Sequence, residues 1–434
     1  MSHSESERRP VTAVLVGAGI RSMTYAQYAL QHPDELKITS IVEPNVVRRN
    51  NSAQIHQVPP ENCFATLDEL VGRSPIAETA INGTLDRQHV PLSLQLLEAG
   101  YHVMLEKPVG LSMEEVQQLL EAARKYKRNV IVCHVLRYAP FYAEIRRRIK
   151  DGVIGEIRDI KTVEHLSYHH MAHAYVRGKW SKFEKIGSSM LMSKCCHDLD
   201  IVTWMKSGIR PRKVSSFGGL SHFKEENAPA GSGTRCLVDC KIERDCPYSA
   251  LKNYVEQENF NYPRTWEGIE HLGPKLTKEQ KIESLRTDNP YGRCVWRCDN
   301  DVVDHQNLLV EFEDNSTAVH SMIGGAASAR RSIHVVGTLG EIEGILGSGY
   351  FVIRFPDARP GHSYSEERVE IHGSDQFGHG GGDLLLVKDF VQVIRGMPHS
   401  ISTTTLEDSI YGHMIGFAAD QAMAENREVT IDEL

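Results

Sequence analysis

Short apolar runs and amphipathic stretches alternate along the first third of the chain. Runs at residues 13–16, 38–42, 78–81, 102–105 and 130–132 predict strands. Segments with helical spacing lie between them, at 23–30, 91–99 and 113–126. This strand–helix–strand alternation predicts a parallel, doubly wound sheet. Ligands of such sheets sit beyond the carboxyl ends of the strands. The positions to inspect are therefore Gly17, Glu43, Asn82 to Asp86, Glu106 to Pro108 and His134.

From about residue 140 the pattern changes. Longer strand-like runs fall at 157–164, 213–220, 234–242, 304–312, 317–323, 332–336 and 350–355. Helical candidates lie at 189–206, 382–395 and 406–425. This reads as an α+β unit on one large, open, mainly antiparallel sheet. Residues 222–300 are irregular and polar and read as an insertion. The expected division is a dinucleotide-binding unit over 8–135 and a substrate-binding unit over 136–434. An open sheet with an exposed face would suit a homodimer or tetramer.

Bulk properties narrow the function. At 434 residues the chain has room for two or three domains. A net charge of −8 argues against sequence-independent nucleic-acid binding, which needs a basic face. No apolar run approaches the roughly 20 residues of a membrane span. Arg8-Arg9 precede only a short apolar run, so they do not read as a secretion signal. Residues 1–10 are expected to be disordered. The expectation is a cytoplasmic enzyme acting on a small molecule.

The run V-T-A-V-L-V-G-A-G-I-R-S at 11–22 names a ligand. Gly17 permits a tight turn, and Gly19 lets the backbone approach a pyrophosphate. Ile20, Arg21 and Ser22 open a helix whose free N–H groups and dipole favour that anion. Ser22 stands where Gly or Ala is usual in the fingerprint. Glu43 follows the second predicted strand, 24 positions after Gly19, close to the roughly 20-residue spacing of the acid that binds the ribose. Its carboxylate accepts from ribose hydroxyls and repels a 2′-phosphate, which favours NAD over NADP. Arg48 and Arg49 blur that preference.

The chain has nine cysteines. Cys236, Cys240, Cys246, Cys294 and Cys298 form two clusters, which in a reducing compartment point to metal ligation before disulfides. Their C-x3-C-x5-C and C-x3-C spacings depart from the usual C-x2-C knuckle. Separate thiols with no bound metal are the favoured reading, and a structural zinc site is the minority one.

Residues 102–108 read H-V-M-L-E-K-P, and Thr84-Leu85-Asp86 with His89 precede them. His134 to Pro140, then Gly152-Val-Ile-Gly155-Glu-Ile, then C-C-H-D-L-D at 195–200 follow. Together these resemble the Gfo/Idh/MocA oxidoreductases. The resemblance implies a nicotinamide cofactor that exchanges a hydride with a sugar or polyol carbon, with Lys107 and His197 as catalytic residues. It also places Thr84, Asp86, His89, Glu106, Lys107, Pro108 and Arg137 around the cofactor, with a cis bond before Pro108. Many members carry Asp four residues before the helix histidine, where this chain has Ser193. The proton relay is then altered, or Asp200 or Asp198 orients His197 instead.

Residues 165–180, H-L-S-Y-H-H-M-A-H-A-Y-V-R-G-K-W, supply the candidate substrate wall. His169, His170, His173, Tyr175, Arg177 and Trp180 suit a carbohydrate, joined by Lys194, Asp200 and His379. The three histidines could also hold a metal, or the stretch could be a surface loop. A second wall is G-H-G-G-G-D at 378–383, where Asp383 can cap the next helix. The leading expectation is an NAD-dependent oxidoreductase acting on a sugar, glycoside or polyol carbinol. The alternatives are a glycosidase that oxidises its substrate transiently and a non-catalytic dinucleotide or sugar sensor.

Overall fold

The computed structural model describes residues 9–206, 208–257, 262–373 and 379–434, so the tail 1–8 and Gly378 lie outside the described residues. Six strands form the first sheet: β1 (Val11–Val16), β2 (Leu36–Val42), β3 (Cys63–Phe64), β4 (Thr79–Asn82), β5 (His102–Leu105) and β6 (Val130–Val132). Their order is β3-β2-β1-β4-β5-β6, and every pair is parallel. This is the doubly wound Rossmann sheet that the sequence pattern predicts.

One face carries α1 (Ile20–Gln31), whose Tyr25, Ala26, Tyr28 and Ala29 are buried. The other carries α3 (His89–Glu98) and α4 (Met113–Tyr126), which bury Leu96, Leu97, Val116 and Leu119. The polar helix α2 (Val46–His56) buries only Ser52, so it carries almost no apolar signal in the sequence.

After α5 (Pro140–Lys150) the chain enters the nine-stranded second sheet, ordered β14-β13-β12-β11-β7-β10-β9-β8-β15. Its strands are β7 (Ile157–Ser167), β8 (Pro211–Gly219), β9 (His305–Phe312), β10 (Thr317–Ala326), β11 (Arg330–Gly337), β12 (Glu341–Ile345), β13 (Tyr350–Pro356), β14 (Tyr364–Glu370) and β15 (Val429–Thr430). Only β7 and β10 pair in parallel; the other pairs are antiparallel. Helices α6 (Cys196–Met205) and α8 (Leu406–Glu425) share its core with Phe141, Tyr142 and Ile145 of α5.

Helix α7 (Gly382–Ile394) crosses back to the first sheet. Its Leu386, Val387, Phe390 and Val391 are fully buried in the α1 core. No helix among the described residues is long and apolar enough to cross a membrane.

One predicted strand, 234–242, is absent. Turns replace it because the Asp239 carboxylate folds back to accept from Thr234 N (2.9 Å), Thr234 Oγ1 (2.9 Å) and Arg235 N (2.9 Å). Helix 189–206 forms as predicted in its second half, but Leu191–Cys195 is a wide π-type turn. Strand β14 escaped the pattern because Y-S-E-E-R-V-E is a charged edge strand that buries only Val369.

Candidate functional site

A cleft of about 680 Å³ opens at the carboxyl ends of β1, β2, β4 and β5, facing the second sheet. The glycine turn forms its floor. Gly17 has φ +80°, and a Cβ there would also meet Thr84 Cγ2 at 3.1 Å and Gly83 O at 3.3 Å. Gly19 is the N-cap of α1, and a Cβ on it would meet no atom within 4 Å. The first turn of α1 has no acidic residue and no side-chain cap, so its N–H groups remain available to an anion.

The unusual Ser22 is accommodated by Gly83. A Cβ at Gly83 would lie 2.2 Å from Ser22 Oγ, so the space that Gly or Ala normally leaves at the third fingerprint position comes from the opposing loop. Glu43 is buried at the end of β2. Its Oε2 accepts from Ala18 N (2.7 Å) and its Oε1 from Asn45 N (2.9 Å), which fixes the glycine turn against the end of β2.

The E-K-P turn is tied from several sides. Glu106 accepts from Arg21 Nε (2.9 Å), Tyr25 OH (2.6 Å) and Lys107 N (2.9 Å). Burial pushes its carboxyl up, but the Arg21 and Lys107 charges outweigh that and hold it at about 2. Arg21 Nη2 also donates to Asp383 Oδ1 of α7 (2.5 Å). The Lys107–Pro108 peptide is cis. Buried His89 pins this turn, with Nδ1 at 2.6 Å from Pro108 O and Nε2 at 3.3 Å from Thr84 O. Asp86 lines the cleft and accepts from Ser188 Oγ.

Lys107 reaches into the cleft, where its Nζ donates to the backbone carbonyl of Ser193. Ser193 Oγ instead turns back to Ser189 O (2.7 Å). The carbonyl at 193 thus occupies the place beside the ammonium that the family resemblance assigns to a carboxylate. His197 lines the same cavity, 5.7 Å ring to ring from His379. Burial first, then the nearby Lys107, push its pKa well below the usual histidine value, so its ring is neutral.

The expectation that Asp200 or Asp198 orients His197 is overturned. Asp200 is fully buried and forms a bidentate pair with Arg137, at 2.7 and 2.6 Å. Asp198 pairs with Arg331 at 2.9 Å. His197 Nδ1 is buried with no hydrogen-bond partner. Arg137 is accordingly a structural clamp between residues 135–138 and α6 and does not line the cleft.

Of the expected substrate wall, His170, Tyr175, Trp180, Lys194 and His379 line the cavity. His169, His173 and Arg177 do not. His169 Nδ1 lies 2.5 Å from Tyr262 OH. His173 stacks between the rings of Tyr262 (4.0 Å) and Tyr291 (4.6 Å), and Arg177 is buried against the insertion. A π-type turn at Ala172–Val176 divides the histidine-rich stretch between two surfaces.

Three further residues line the cleft from unexpected places. Arg331 comes from β11, where it also pairs with Glu164 (2.8 Å), which in turn holds Lys194 (3.2 Å). Arg264 and Glu267 come from the insertion. Arg264 lies over the Trp180 ring at 4.5 Å. Glu267 pairs with Lys179 (2.8 Å) and Arg48 (3.4 Å), and Glu270 with Arg48 (3.1 Å). No local sequence motif marks the contacts of Arg331, Arg264 and Glu267, because each joins segments more than 80 residues apart.

Comparison with known proteins agrees with this architecture. The model of an oxidoreductase family with an NAD-binding Rossmann fold matches residues 11–134, and its companion C-terminal alpha/beta domain matches residues 146–431. The Bacillus subtilis (strain 168) protein YteT, which carries an oxidoreductase name, is 23% identical over 86% of each chain. Trans-1,2-dihydrobenzene-1,2-diol dehydrogenase of Xenopus tropicalis is 24% identical over 42% of this chain and 53% of its own. Escherichia coli (strain K12) 2,7-anhydro-N-acetylneuraminate hydratase is 26% identical over 48% of this chain and 53% of its own. Among solved structures, levoglucosan dehydrogenase in complex with NADH and levoglucosan superposes with a TM-score of 0.68 at 15% identity. That match spans 98% of this chain and 100% of the other.

Proposed function

The chain belongs to the Gfo/Idh/MocA oxidoreductase family, and from that premise we propose that it transfers a hydride between a sugar, glycoside or polyol carbinol and NAD. The observation that carries this reading is the meeting of Lys107 and neutral His197 in one cleft with the glycine turn. The free N–H groups of α1, the open face of Gly19 and the Glu43 carboxylate fit a dinucleotide. When bound, NAD supplies the hydride acceptor.

Oxidising a carbinol also requires that its hydroxyl proton leave. The Lys107 ammonium stabilises negative charge developing on that oxygen, and the neutral His197 ring accepts the proton. Tyr175 and Trp180 offer ring faces to the sugar. His170, Lys194, His379 and Arg264 offer donors to its hydroxyls. A levoglucosan dehydrogenase of the same fold and a dihydrodiol dehydrogenase relative support this substrate class.

The selectivity we propose is for NAD. Glu43 would face the ribose; Arg48, which lines the cleft, is engaged by Glu267 and Glu270, and Arg49 donates to the backbone carbonyl of Glu43 at 2.5 Å. A transient-oxidation reading is kept for one reason: a relative is named a hydratase, an activity without net redox change.

The test uses purified protein with a panel of sugars, polyols and aryl glycosides, following NADH absorbance and aglycone release in parallel. NADH formation without aglycone release is expected. Aglycone release without net NADH would replace oxidation by the transient reading. Titration with both cofactors should show tighter binding of NAD, and equal or tighter NADP binding would overturn the selectivity.

A further inference from the structure

The insertion between β8 and β9 has little of its own to hold it. Its described residues contain no strand pairing beyond an isolated bridge between Arg235 and Arg293. Its apolar cluster is built on Cys236, Ala250, Tyr254, Leu285 and Tyr291. Cys246, Tyr248, Cys294, Val295 and Trp296 pack into the core of the second sheet, but the rest of the insertion has a core small enough to call for a further cross-link. The bridge sets two distant stretches side by side, through Cys236 N to Gly292 O (2.9 Å) and Cys294 N to Thr234 O (2.9 Å).

That alignment gathers Cys236, Cys240, Cys246 and Cys294 around one cavity of about 10 Å³, the size of a single small occupant. All four are free thiols. Cys298 is set apart, its Sγ donating to Cys294 O at 3.2 Å.

The wall of this cavity includes Arg177, which is 3% exposed. Its guanidinium donates to Arg293 O (2.7 Å), Tyr248 O (2.9 Å), Tyr254 OH (3.3 Å) and Cys236 Sγ (3.4 Å), with no carboxylate partner among the described residues. Arg235 beside it donates to the carbonyls of Leu285 and Asn289. Glu243, the acid in the cavity wall, accepts from Ser249 Oγ. A buried cation needs a compensating anion, and the sulfur in contact with Arg177 is the group placed to supply it.

We propose that Cys236, Cys240, Cys246 and Cys294 bind one zinc-class divalent cation as thiolates, with Arg177 as its charge-balancing neighbour. Loading breaks four S–H bonds, releases four protons to solvent and forms four metal–sulfur bonds, with no electron transfer. The resulting centre carries a net charge of about −2, which Arg177 offsets in part. The sulfurs are not gathered within 4.8 Å of one another, so loading contracts the cavity towards the roughly 3.8 Å sulfur–sulfur edge set by 2.3 Å zinc–sulfur bonds. Such a centre would fasten the insertion to Arg177, and so to the segment that carries Tyr175 and Trp180 into the cleft.

The test is metal analysis of the purified full-length protein after dialysis with zinc and removal of the excess. About one zinc per chain is expected, with four thiols shielded from a thiol reagent until a chelator is added. Cobalt in place of zinc should give the intense visible absorption of a tetrahedral thiolate site in the wild-type chain, so the outcome does not depend on a variant folding. Cys298→Ser should keep the metal, whereas Cys294→Ser should lose it. Substoichiometric zinc together with a cobalt spectrum lacking thiolate bands would overturn the proposal. So would a thiol count two short of nine under denaturing, non-reducing conditions.

Discussion

At the scale of single residues, the site is decided by what touches the reacting oxygen and what merely shapes the turn. In the mechanism we propose, Lys107 belongs to the first kind. Lys107→Met should lower kcat by at least the roughly 10²–10⁴-fold typical of a positioned proton-transfer group, and leave the NAD dissociation constant unchanged, because the proposed dinucleotide contacts are those of Gly17, Gly19 and Glu43. Steady-state rates beside a cofactor titration check this, and wild-type turnover would refute the assigned role. Ser22 and Gly83 belong to the second kind. Gly83→Ala drives a methyl into Ser22 Oγ and should cost about 1–3 kcal/mol with weakened NAD binding. Ser22 Oγ is buried without a partner, so Ser22→Ala alone should be neutral or mildly stabilising. The double variant should recover most of the loss in denaturant melts. Independent, additive effects of the two changes would show that the two positions do not share space.

At the scale of elements, helix α6, which carries His197, is held by the buried Arg137–Asp200 pair, which ties it to residues 135–138. Removing one partner leaves the other charge buried and alone. Asp200→Asn should therefore destabilise the protein by about 3–5 kcal/mol, read as a lower denaturation midpoint. Asp200→Asn/Arg137→Met should be less damaging than the sum of the single changes. The sequence revealed elements wherever one face is apolar. Strands β1, β2, β4, β5 and β6 all announce themselves by buried runs, while β14 and α2 do not, because they bury one residue each. The same logic explains the site. Residues that follow strands, such as Gly17, Glu43 and Lys107, were legible, since topology alone sends strand ends to a cleft. Arg264, Glu267 and Arg331 were not, since their places depend on how the insertion and β11 lie across the chain. Arg137 and Asp200 were visible as charged residues, but only packing shows that they face each other.

At the scale of the whole molecule, Arg21 ties the turn after β5 to the distant C-terminal part of the chain by binding Glu106 and Asp383 of α7. Both carboxylates sit at about 2: burial pushes each up, and Arg21, with Lys107 for Glu106 and His379 for Asp383, pulls each down further. Carboxylates depressed by folding stabilise the native state above their ordinary pKa and lose that contribution as pH falls towards the folded value. Stability should therefore drop between about pH 4.5 and pH 2, by about 3 kcal/mol for each carboxylate at a two-unit shift. Melting temperatures across that range should fall steeply for the wild type and less steeply for Arg21→Met. Equal slopes would remove Arg21 as the cause. The return of α7 to the first sheet has a consequence for synthesis. The nucleotide-binding lobe leaves the ribosome first, yet Phe390 and its neighbours complete its core, and Thr404 O accepts from Val132 N of its last strand (2.8 Å). At roughly 5–20 residues per second, the 270 residues between 135 and 405 take about 15–55 s to appear. Through that interval the nascent lobe carries an uncovered apolar face, and it is sealed only when the far end of the chain arrives.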